Sequence, residues 1–192
     1  DSCDKEHQSC RIDEFKVMKQ DYAACDYTVE GDYSSASYLL ALIAINGGNA
    51  KIRNLFFDSK QGDKYILDIL QKMGATIIRG EDYVEIVSEG NLKAIDVDLA
   101  NAPDLLITVA VLAAMAEGTT NISGVAHARV KETDRIDATC RELEKLGCKL
   151  IENEDGMSIT GGISSGIVDS HGDHRLAMAF SYCIAGLILC LT

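Results

Sequence analysis

Basic residues are scarce in this chain of 192 amino acids, in which 18 lysine and arginine residues stand against 30 acidic ones, for a formal charge of −12. Nucleic-acid surfaces neutralise phosphates with clustered cations, so this balance argues against a nucleic-acid partner. Any anionic ligand must be held by a local basic patch. The remaining composition, 47% hydrophobic and 25% charged, is typical of a folded globular protein.

Cysteine pairs with metal-ligand or redox spacing are also missing. The seven cysteines are an odd number, include no C-x-x-C pair, and fall in several cases inside apolar runs, where cysteine behaves as a small hydrophobic residue. We therefore predict reduced thiols and a cytoplasmic protein. Glycine loops with Walker or dinucleotide spacing are missing too.

No hydrophobic run is long enough to suggest a membrane span. The first twenty residues are charged, so no secretory signal is predicted. The most apolar run, residues 176–192, is about three residues short of the ~20 that a spanning helix needs, and we predict a buried helix there. Because the chain starts without Met and stops at this run, we expect a fragment of a longer protein, with residues 1–26 as a polar lead-in.

One order of elements occurs twice along the chain: strand, helix, strand, helix, strand, strand. The two copies, residues 27–87 and 95–160, are offset by 71 to 73 residues, and the first opens with a short strand predicted at residues 26–30. A third copy begins at Gly166 and is predicted to contain only a strand and a helix. The sequence thus predicts an α/β fold of repeated βαβαββ units.

The predicted helices at residues 105–115 and 176–191 are apolar on nearly every face, so we expect the units to pack around shared buried helices. Each unit would then aim its helix N-termini in a similar direction. This would place Asp104, Arg135 and Arg175 at one end of the domain. Duplication for packing alone is the alternative.

Residues 129–135 (RVKETDR) hold three cations and two carboxylic acids in seven positions. Asp134 or the threonine before it is predicted to cap a helix, which puts Arg135 in the first turn, where the helix dipole disfavours a cation. Compensation must come from a nearby acid or a bound anion. A simple surface pairing of Arg135 with Asp134, Asp137 or Glu132 is the alternative.

Three other features bear on chemistry. Asp104 follows a proline at the start of an apolar helix, so it is either an N-cap or a general acid/base carboxylate. Arg175 repeats the helix-start anomaly, with His174 beside it. Residues 169–174 contain two His and two Asp, but they straddle a turn and lack a partner cluster, so we predict no metal site.

Three motifs, residues 102–104 (APD), 129–135 (RVKETDR) and 173–179 (DHRLAMA), together with residues 31–38 (GDYSSASY), closely resemble the C-terminal domain of the 5-enolpyruvylshikimate-3-phosphate (EPSP) synthase family. The resemblance covers about residues 27–187. Members of that family are enolpyruvyl transferases with two domains, each of three βαβαββ units in an inside-out α/β arrangement, and an active site in the cleft between them. The repeat-based fold prediction agrees.

The resemblance implies transfer of the enolpyruvyl group of phosphoenolpyruvate to the 5-hydroxyl of shikimate 3-phosphate, with release of phosphate and without a cofactor or metal. The reaction adds a proton to a methylene carbon, removes one from a hydroxyl, and then eliminates phosphate, a task suited to two carboxylates. By match to the family, the implied site residues are Asp104 as the base on the hydroxyl, Glu132 as the carrier of the methylene proton, Lys131 for shikimate phosphate or the intermediate, Arg135 and Arg175 for phosphoenolpyruvate, and His174 and His127 as polar substrate contacts.

The family's N-terminal domain and its C-terminal lysine-rich motif have no counterpart in this sequence. We therefore expect a missing N-terminal domain as the essential partner and an inactive chain without it. Three alternatives stay open. A UDP-N-acetylglucosamine enolpyruvyl transferase shares the fold, an RNA 3′-phosphate cyclase shares a similar repeat, and a non-catalytic module could hold an anion on half a cleft.

Overall fold

The structure, a computed structural model, describes residues 16–21, 23–183 and 189–191, which form five α-helices and nine strands. The helices are α1 (Tyr33–Asn46), α2 (Ile66–Lys72), α3 (Leu106–Met115), α4 (Arg135–Lys145) and α5 (His174–Cys183). The strands are β1 (Gly48–Arg53), β2 (Thr76–Arg79), β3 (Tyr83–Ser88), β4 (Asp96–Asp98), β5 (Thr119–Ser123), β6 (Lys149–Asn153), β7 (Gly156–Thr160), β8 (Gly166–Val168) and β9 (Leu189–Leu191).

Two sheets show the predicted repeat. The first has the order β1-β3-β2 with antiparallel pairs, and the second has the order β4-β5-β7-β6, in which β4 is parallel to β5 and the other pairs are antiparallel. The run β5-β7-β6 therefore matches β1-β3-β2 in order and direction. The repeat predicted from the sequence offset is confirmed for these elements.

The strand predicted at residues 26–30 is wrong. This segment has no strand pairing and is held at the end of β1 by two bonds: the Gly31 N–H donates to the Asn54 carbonyl at 2.7 Å, and the Asn54 side chain donates to the Val29 carbonyl at 3.1 Å. Tyr27 and Val29 are exposed. A weak alternation of side chains cannot form a strand when no buried face holds its apolar members.

The third unit extends further than predicted. β9 pairs in parallel with β8, so residues 189–191 are a strand and not the end of a helix, while residues 184–188 and 192 lie outside the described part of the chain. The arrangement β8-α5-β9 repeats β4-α3-β5. A continuous apolar run does not by itself distinguish a buried helix from a buried strand. Among the described helices, none has the length and apolar character needed to cross a membrane.

The first helices of the three units, α1, α3 and α5, pack against one another, and the sheets lie outside them. Every residue from Leu106 to Ala114 in α3 is buried, because the helix has apolar or small side chains on all faces. The prediction of a shared buried helix is confirmed for α3, whereas α5 packs against it but is only partly buried; the α/β fold has the inside-out arrangement.

Helix starts meet at one end of this helical core. α4 begins at Arg135 and is capped by Asp134, whose side chain accepts from the N–H groups of Ile136 and Asp137. α5 begins at His174. A short 3-10 helix, Pro103–Leu105, precedes α3. The side chains at these three starts form the site.

Candidate active site

Arg135 lies at the centre of a cluster of carboxylates. Its Nε donates to Asp173 Oδ2 at 2.7 Å, its Nη1 to Asp104 Oδ1 at 3.0 Å, and its Nη2 to Glu132 Oε2 at 2.7 Å. The side chain is only 2% exposed. Three carboxylates thus compensate a buried cation that the helix dipole alone would disfavour.

Asp104 joins the two arginines that the sequence placed at helix starts. Its Oδ1 accepts from Arg135, and its Oδ2 accepts from Arg175 Nη2 at 2.9 Å. Both oxygens therefore face cations, and the N-cap role considered for this residue is wrong. Asp104 is 32% exposed and Arg175 is 17% exposed, so solvent reaches both side chains. Asp104, Arg135 and Arg175 are brought together, as the repeat implied, and Glu132 lies with them.

Asp173 belongs to the same cluster, although it was not singled out as a site residue from the sequence. Its second oxygen, Oδ1, accepts from the Arg175 N–H at 2.7 Å, so one buried carboxylate both orients Arg135 and caps the helix that carries Arg175. Its position directly before His174 and Arg175 was the sequence feature that could have identified Asp173 as a site residue. Its partner Arg135 is 38 residues away in the chain.

Charge pairing keeps both members of the buried pair ionised. Burial alone would raise the pKa of Asp173, but hydrogen bonds from Arg135 and from the Arg175 N–H outweigh it and hold that pKa below its ordinary value. Burial alone would lower the pKa of Arg135. The bond to Asp173, with the charges of Asp173, Glu132 and Asp104, raises it instead.

The surface pairing considered for Arg135 is wrong in two of its three partners. Asp134 caps α4 and accepts from Arg129 Nη1 at 3.0 Å, and Asp137 pairs with Arg141 at 2.9 Å on the outside of the helix. Glu132 does bind Arg135, but the guanidinium group it binds is buried and is shared with Asp104 and Asp173. Asp134 therefore builds the helix start, while Glu132 and two acids distant in the chain, Asp104 and Asp173, compensate the charge of Arg135.

The other predicted site residues lie at the edge. Lys131 precedes Glu132 and is exposed, without a hydrogen bond or ion pair to the described residues. His174 is exposed, with Nδ1 at 4.0 Å from Asp173 Oδ1. His127 is exposed in the 3-10 helix Ala126–Val130 and, among the described residues, has no hydrogen bond or ion pair with the arginine cluster.

Two buried residues of the first repeat unit, residues 27–87, lie near the cluster. Tyr38 of α1 is buried; burial raises its pKa, and the nearby charge of Arg175 opposes the rise. Asp63, in the 3-10 helix Gly62–Tyr65, is buried too. Burial raises its pKa; the hydroxyl of Ser34, which donates to it, opposes the rise, while the charge of Asp104 adds to it. Sequence reasoning missed Asp63, although the repeat aligns it with the capping Asp134.

The Asp and His side chains of residues 169–173 have protein partners. Asp173 binds Arg135, the Nε2 of His171 binds Glu142 at 2.6 Å, and Asp169 Oδ1 accepts from the His171 N–H at 2.7 Å. No group of three or more His, Cys, Asp or Glu side chains in the described segments is arranged to hold a metal ion.

Three carboxylates and two guanidinium groups meet here, so the cluster has a formal charge of −1. Convergent guanidinium groups are suited to a planar anion such as a carboxylate or to a phosphate, and a partly exposed carboxylate beside them can exchange protons with a ligand. A cluster with this net charge would need further cations to bind a multiply charged anion strongly.

Comparison with known proteins gives consistent results. A family model described as EPSP synthase (3-phosphoshikimate 1-carboxyvinyltransferase) matches residues 11–190. The 3-phosphoshikimate 1-carboxyvinyltransferase of Methanobrevibacter smithii is 77% identical over 181 residues, which is 94% of this chain and 41% of that protein. The corresponding protein of Methanothermobacter thermautotrophicus is 59% identical over 167 residues, 87% of this chain and 40% of that protein.

A solved structure of EPSP synthase from Acinetobacter baumannii matches with a TM-score of 0.69 and 32% sequence identity, over 81% of this chain and 39% of that one. The chain therefore spans about 40% of the length of the curated relatives it matches. Since the family model covers almost all of the sequence and the solved relative shares the fold, the chain belongs to the EPSP synthase family.

Proposed function

We propose that the protein of which this chain is part transfers the enolpyruvyl group of phosphoenolpyruvate to the 5-hydroxyl of shikimate 3-phosphate and releases phosphate. The observation that carries the proposal is the convergence of Arg135 and Arg175 on Asp104 at the starts of two helices. Family membership supplies the reaction class. The cluster supplies groups of the right chemistry for both the anion and the protons.

Arg135 and Arg175 are proposed to clamp phosphoenolpyruvate. A guanidinium group presents five N–H donors in a plane and pairs in bidentate fashion with carboxylates and phosphates. Arg175 is the more accessible of the two, whereas Arg135 is oriented from behind by Asp173. The incoming anion would share these donors with Asp104, which is partly exposed, and Glu132, which is exposed.

Asp104 and Glu132 are proposed to move the protons. Asp104 would take the proton of the 5-hydroxyl as the hydroxyl oxygen bonds to C2 of phosphoenolpyruvate, while Glu132, protonated in the substrate complex, delivers its proton to the methylene carbon. Glu132 would then take a proton back from the resulting methyl group as the C–O bond to phosphate breaks, and Asp104 would pass its proton to the departing phosphate. Glu132 is 51% exposed at the loop before α4, so it can face a ligand while Arg135 holds one of its oxygens at 2.7 Å.

The remaining site residues are assigned supporting contacts. Lys131 would bind shikimate phosphate or the tetrahedral intermediate, since it is exposed beside Glu132. His174 and His127 would be polar contacts to substrate. We assign residues 27–192 to the partial C-terminal domain and place the protein in the cytoplasm, a proposal supported by the free thiols of Cys25, Cys140 and Cys148.

The missing N-terminal domain is proposed as the essential partner. The cluster on this chain is open to solvent and has a formal charge of −1, so it lacks both the water exclusion and the cations that binding two phosphorylated substrates requires. The opposite wall of the cleft would supply them. The isolated chain is expected to bind anions weakly and to catalyse nothing.

The test is a chimera in which this chain replaces the matching 41% of the Methanobrevibacter smithii protein. Phosphate release is measured with phosphoenolpyruvate and shikimate 3-phosphate, and separately with UDP-N-acetylglucosamine as acceptor. We expect turnover with the first acceptor only, and none when Asp104 and Glu132 are both replaced by their amides. A well-folded chimera without turnover, or one that prefers the nucleotide sugar, would reject the proposed function.

A further inference from the structure

A second cluster, centred on a buried carboxylate, joins α4 to the turn between β8 and α5. Glu142 lies seven residues after Arg135 in α4, and its side chain is 0% exposed. Its Oε1 accepts from His171 Nε2 at 2.6 Å and from Lys145 Nζ at 2.7 Å, and its Oε2 accepts from the Asp169 N–H at 3.0 Å. The proposed proton transfers and the anion clamp do not use this carboxylate.

Glu142 is ionised in its buried position. Burial alone would raise its pKa, but bonds from Lys145, the Asp169 N–H and His171 outweigh burial and hold that pKa below its ordinary value. An ionised carboxylate can only accept, so Nε2 of His171 carries the hydrogen of their bond. The contact is therefore a charge-assisted hydrogen bond between a helix and a turn 29 residues away.

The turn itself needs support. His171 has φ 50° and Gly172 has φ 72°, both in the left-handed region, which a residue with a side chain adopts at a cost. Within the turn, the His171 N–H donates to Asp169 Oδ1 at 2.7 Å, and the Asp173 N–H donates to the Ser170 carbonyl at 2.8 Å. The bond from the His171 ring to Glu142 compensates the cost and fixes the turn on α4.

This turn, residues 169–173, is attached to α4 at both ends. Glu142 holds its first half, and Arg135 holds Asp173 at its end. The two α4 residues are seven positions apart, so they lie on one face of the helix and about 10 Å from each other along its axis. Asp173 also caps α5, so its position determines where α5 begins and therefore where Arg175 lies.

We propose that Glu142 and His171 are positioning residues of the site: they hold the turn against α4 so that Asp173 orients Arg135 and sets the start of the helix that carries Arg175. Neither residue touches substrate. The part that concerns phosphoenolpyruvate affinity rests on the proposed function, whereas the part that concerns the arginine geometry does not.

The geometry is tested by NMR on the 192-residue chain, through the exchange rate of the Arg135 Nε–H. In the unmodified chain this hydrogen should exchange slowly, because it is buried and bonded to Asp173. Glu142→Gln puts an amide N–H₂ among donors, and we expect exchange at least about tenfold faster, the effect of one lost bond to a charged group. Glu144→Gln, at an exposed position on the same helix, is the control and should leave the rate unchanged.

Two variants of His171 test the same contact independently, in case the Glu142 variant does not fold. His171→Asn tolerates the left-handed backbone but is too short to reach Glu142, so it should also speed Arg135 exchange. His171→Gln carries a donor at about the reach of Nε2 and should restore part of the protection. An Arg135 rate that is the same in the unmodified chain, in His171→Asn and in any folded Glu142→Gln would overturn the proposal.

The kinetic arm uses the complete chimera. Glu142→Gln and His171→Asn are expected to raise the Michaelis constant for phosphoenolpyruvate about tenfold, with that for shikimate 3-phosphate and kcat changed less than about twofold. Equal effects on both substrates, or a loss of kcat alone, would contradict the positioning role. A chimera with no turnover before mutation would reject the proposed function instead, and the NMR result would still decide the geometry.

Discussion

Replacing Asp173 with Asn should destabilise the chain more than its small change in size suggests. The carboxylate is buried and accepts two hydrogen bonds at 2.7 Å, one from Arg135 Nε and one from the Arg175 N–H. An amide offers one acceptor, so one of these donors loses its partner, at a cost of about 1–3 kcal/mol. Loss of the charge adds to this cost, although Asp104 and Glu132 still face Arg135, so we expect about 2–4 kcal/mol in all.

The assay is urea denaturation at pH 7, followed by circular dichroism. Asp137→Asn is the control, because Asp137 pairs with Arg141 on an exposed face, where such a pair contributes only about 0–1 kcal/mol. A free energy of unfolding for Asp173→Asn within about 1 kcal/mol of the Asp137→Asn value would refute the reasoning that Asp173 is the main partner of a buried cation.

The lowered pKa of Asp173 also predicts how the stability of this variant depends on pH. Because the pKa of Asp173 is lower in the folded chain than its ordinary value of about 3.9, its contribution to the free energy of unfolding is fully present above that value. This contribution is lost as the pH falls through the folded pKa. The stability difference between the unmodified chain and Asp173→Asn should therefore shrink only in acid. A difference that shrinks between pH 8 and pH 6 would contradict the assignment.

Three further predictions concern other residues. In the complete chimera, Asp104→Asn should lower kcat by at least about a hundredfold with a smaller change in the Michaelis constant of phosphoenolpyruvate, since the amide cannot accept a proton; equal changes in both would argue against a base. The isolated 192-residue chain should show no turnover in a preparation free of host synthase. Measurable turnover would mean that the proposed N-terminal domain is dispensable for the reaction. Burial, reinforced by the charges of Glu152 and Glu144, raises the pKa of Cys140 to about 12. Iodoacetamide should therefore label Cys140 at least about a hundredfold more slowly than exposed Cys25 at pH 8. Mass spectrometry of peptides gives this ratio, and similar labelling rates would contradict the burial of Cys140.

Much of the fold could be predicted from the sequence because its signals are local. Asp134 before an amphipathic run predicted the start of α4, and the apolar residues of α3 predicted a helix buried on all faces. The offset between the two copies then predicted that helix starts share one end of the domain. From that placement alone, Arg135 and Arg175 were expected near Asp104, and both contact it.

The parts that failed depend on partners far away in the chain. Residues 26–30 have the alternating pattern of a strand, but they form no backbone pairing with another strand. Residues 189–191 continue an apolar run that predicted a helix, but they pair with β8 as a strand. Asp173 and His171 draw their importance from Arg135 and Glu142, which are 38 and 29 positions away. Periodicity and capping patterns contain no information on such pairs, whose geometry appears only once the turn is folded onto α4.

The most direct test of the central claim is the Michaelis constant for phosphoenolpyruvate of the complete chimera with Arg175→Gln. If Arg175 clamps this substrate through charge-assisted bonds worth roughly 1.5–3 kcal/mol, the constant should rise about ten- to a hundredfold, and Arg175→Lys should recover only part of the loss. Arg141→Gln, which removes an exposed arginine of α4, should leave it unchanged. An Arg175→Gln enzyme with the same constant as the Arg141→Gln control would contradict the assignment of the arginine cluster as the phosphoenolpyruvate site.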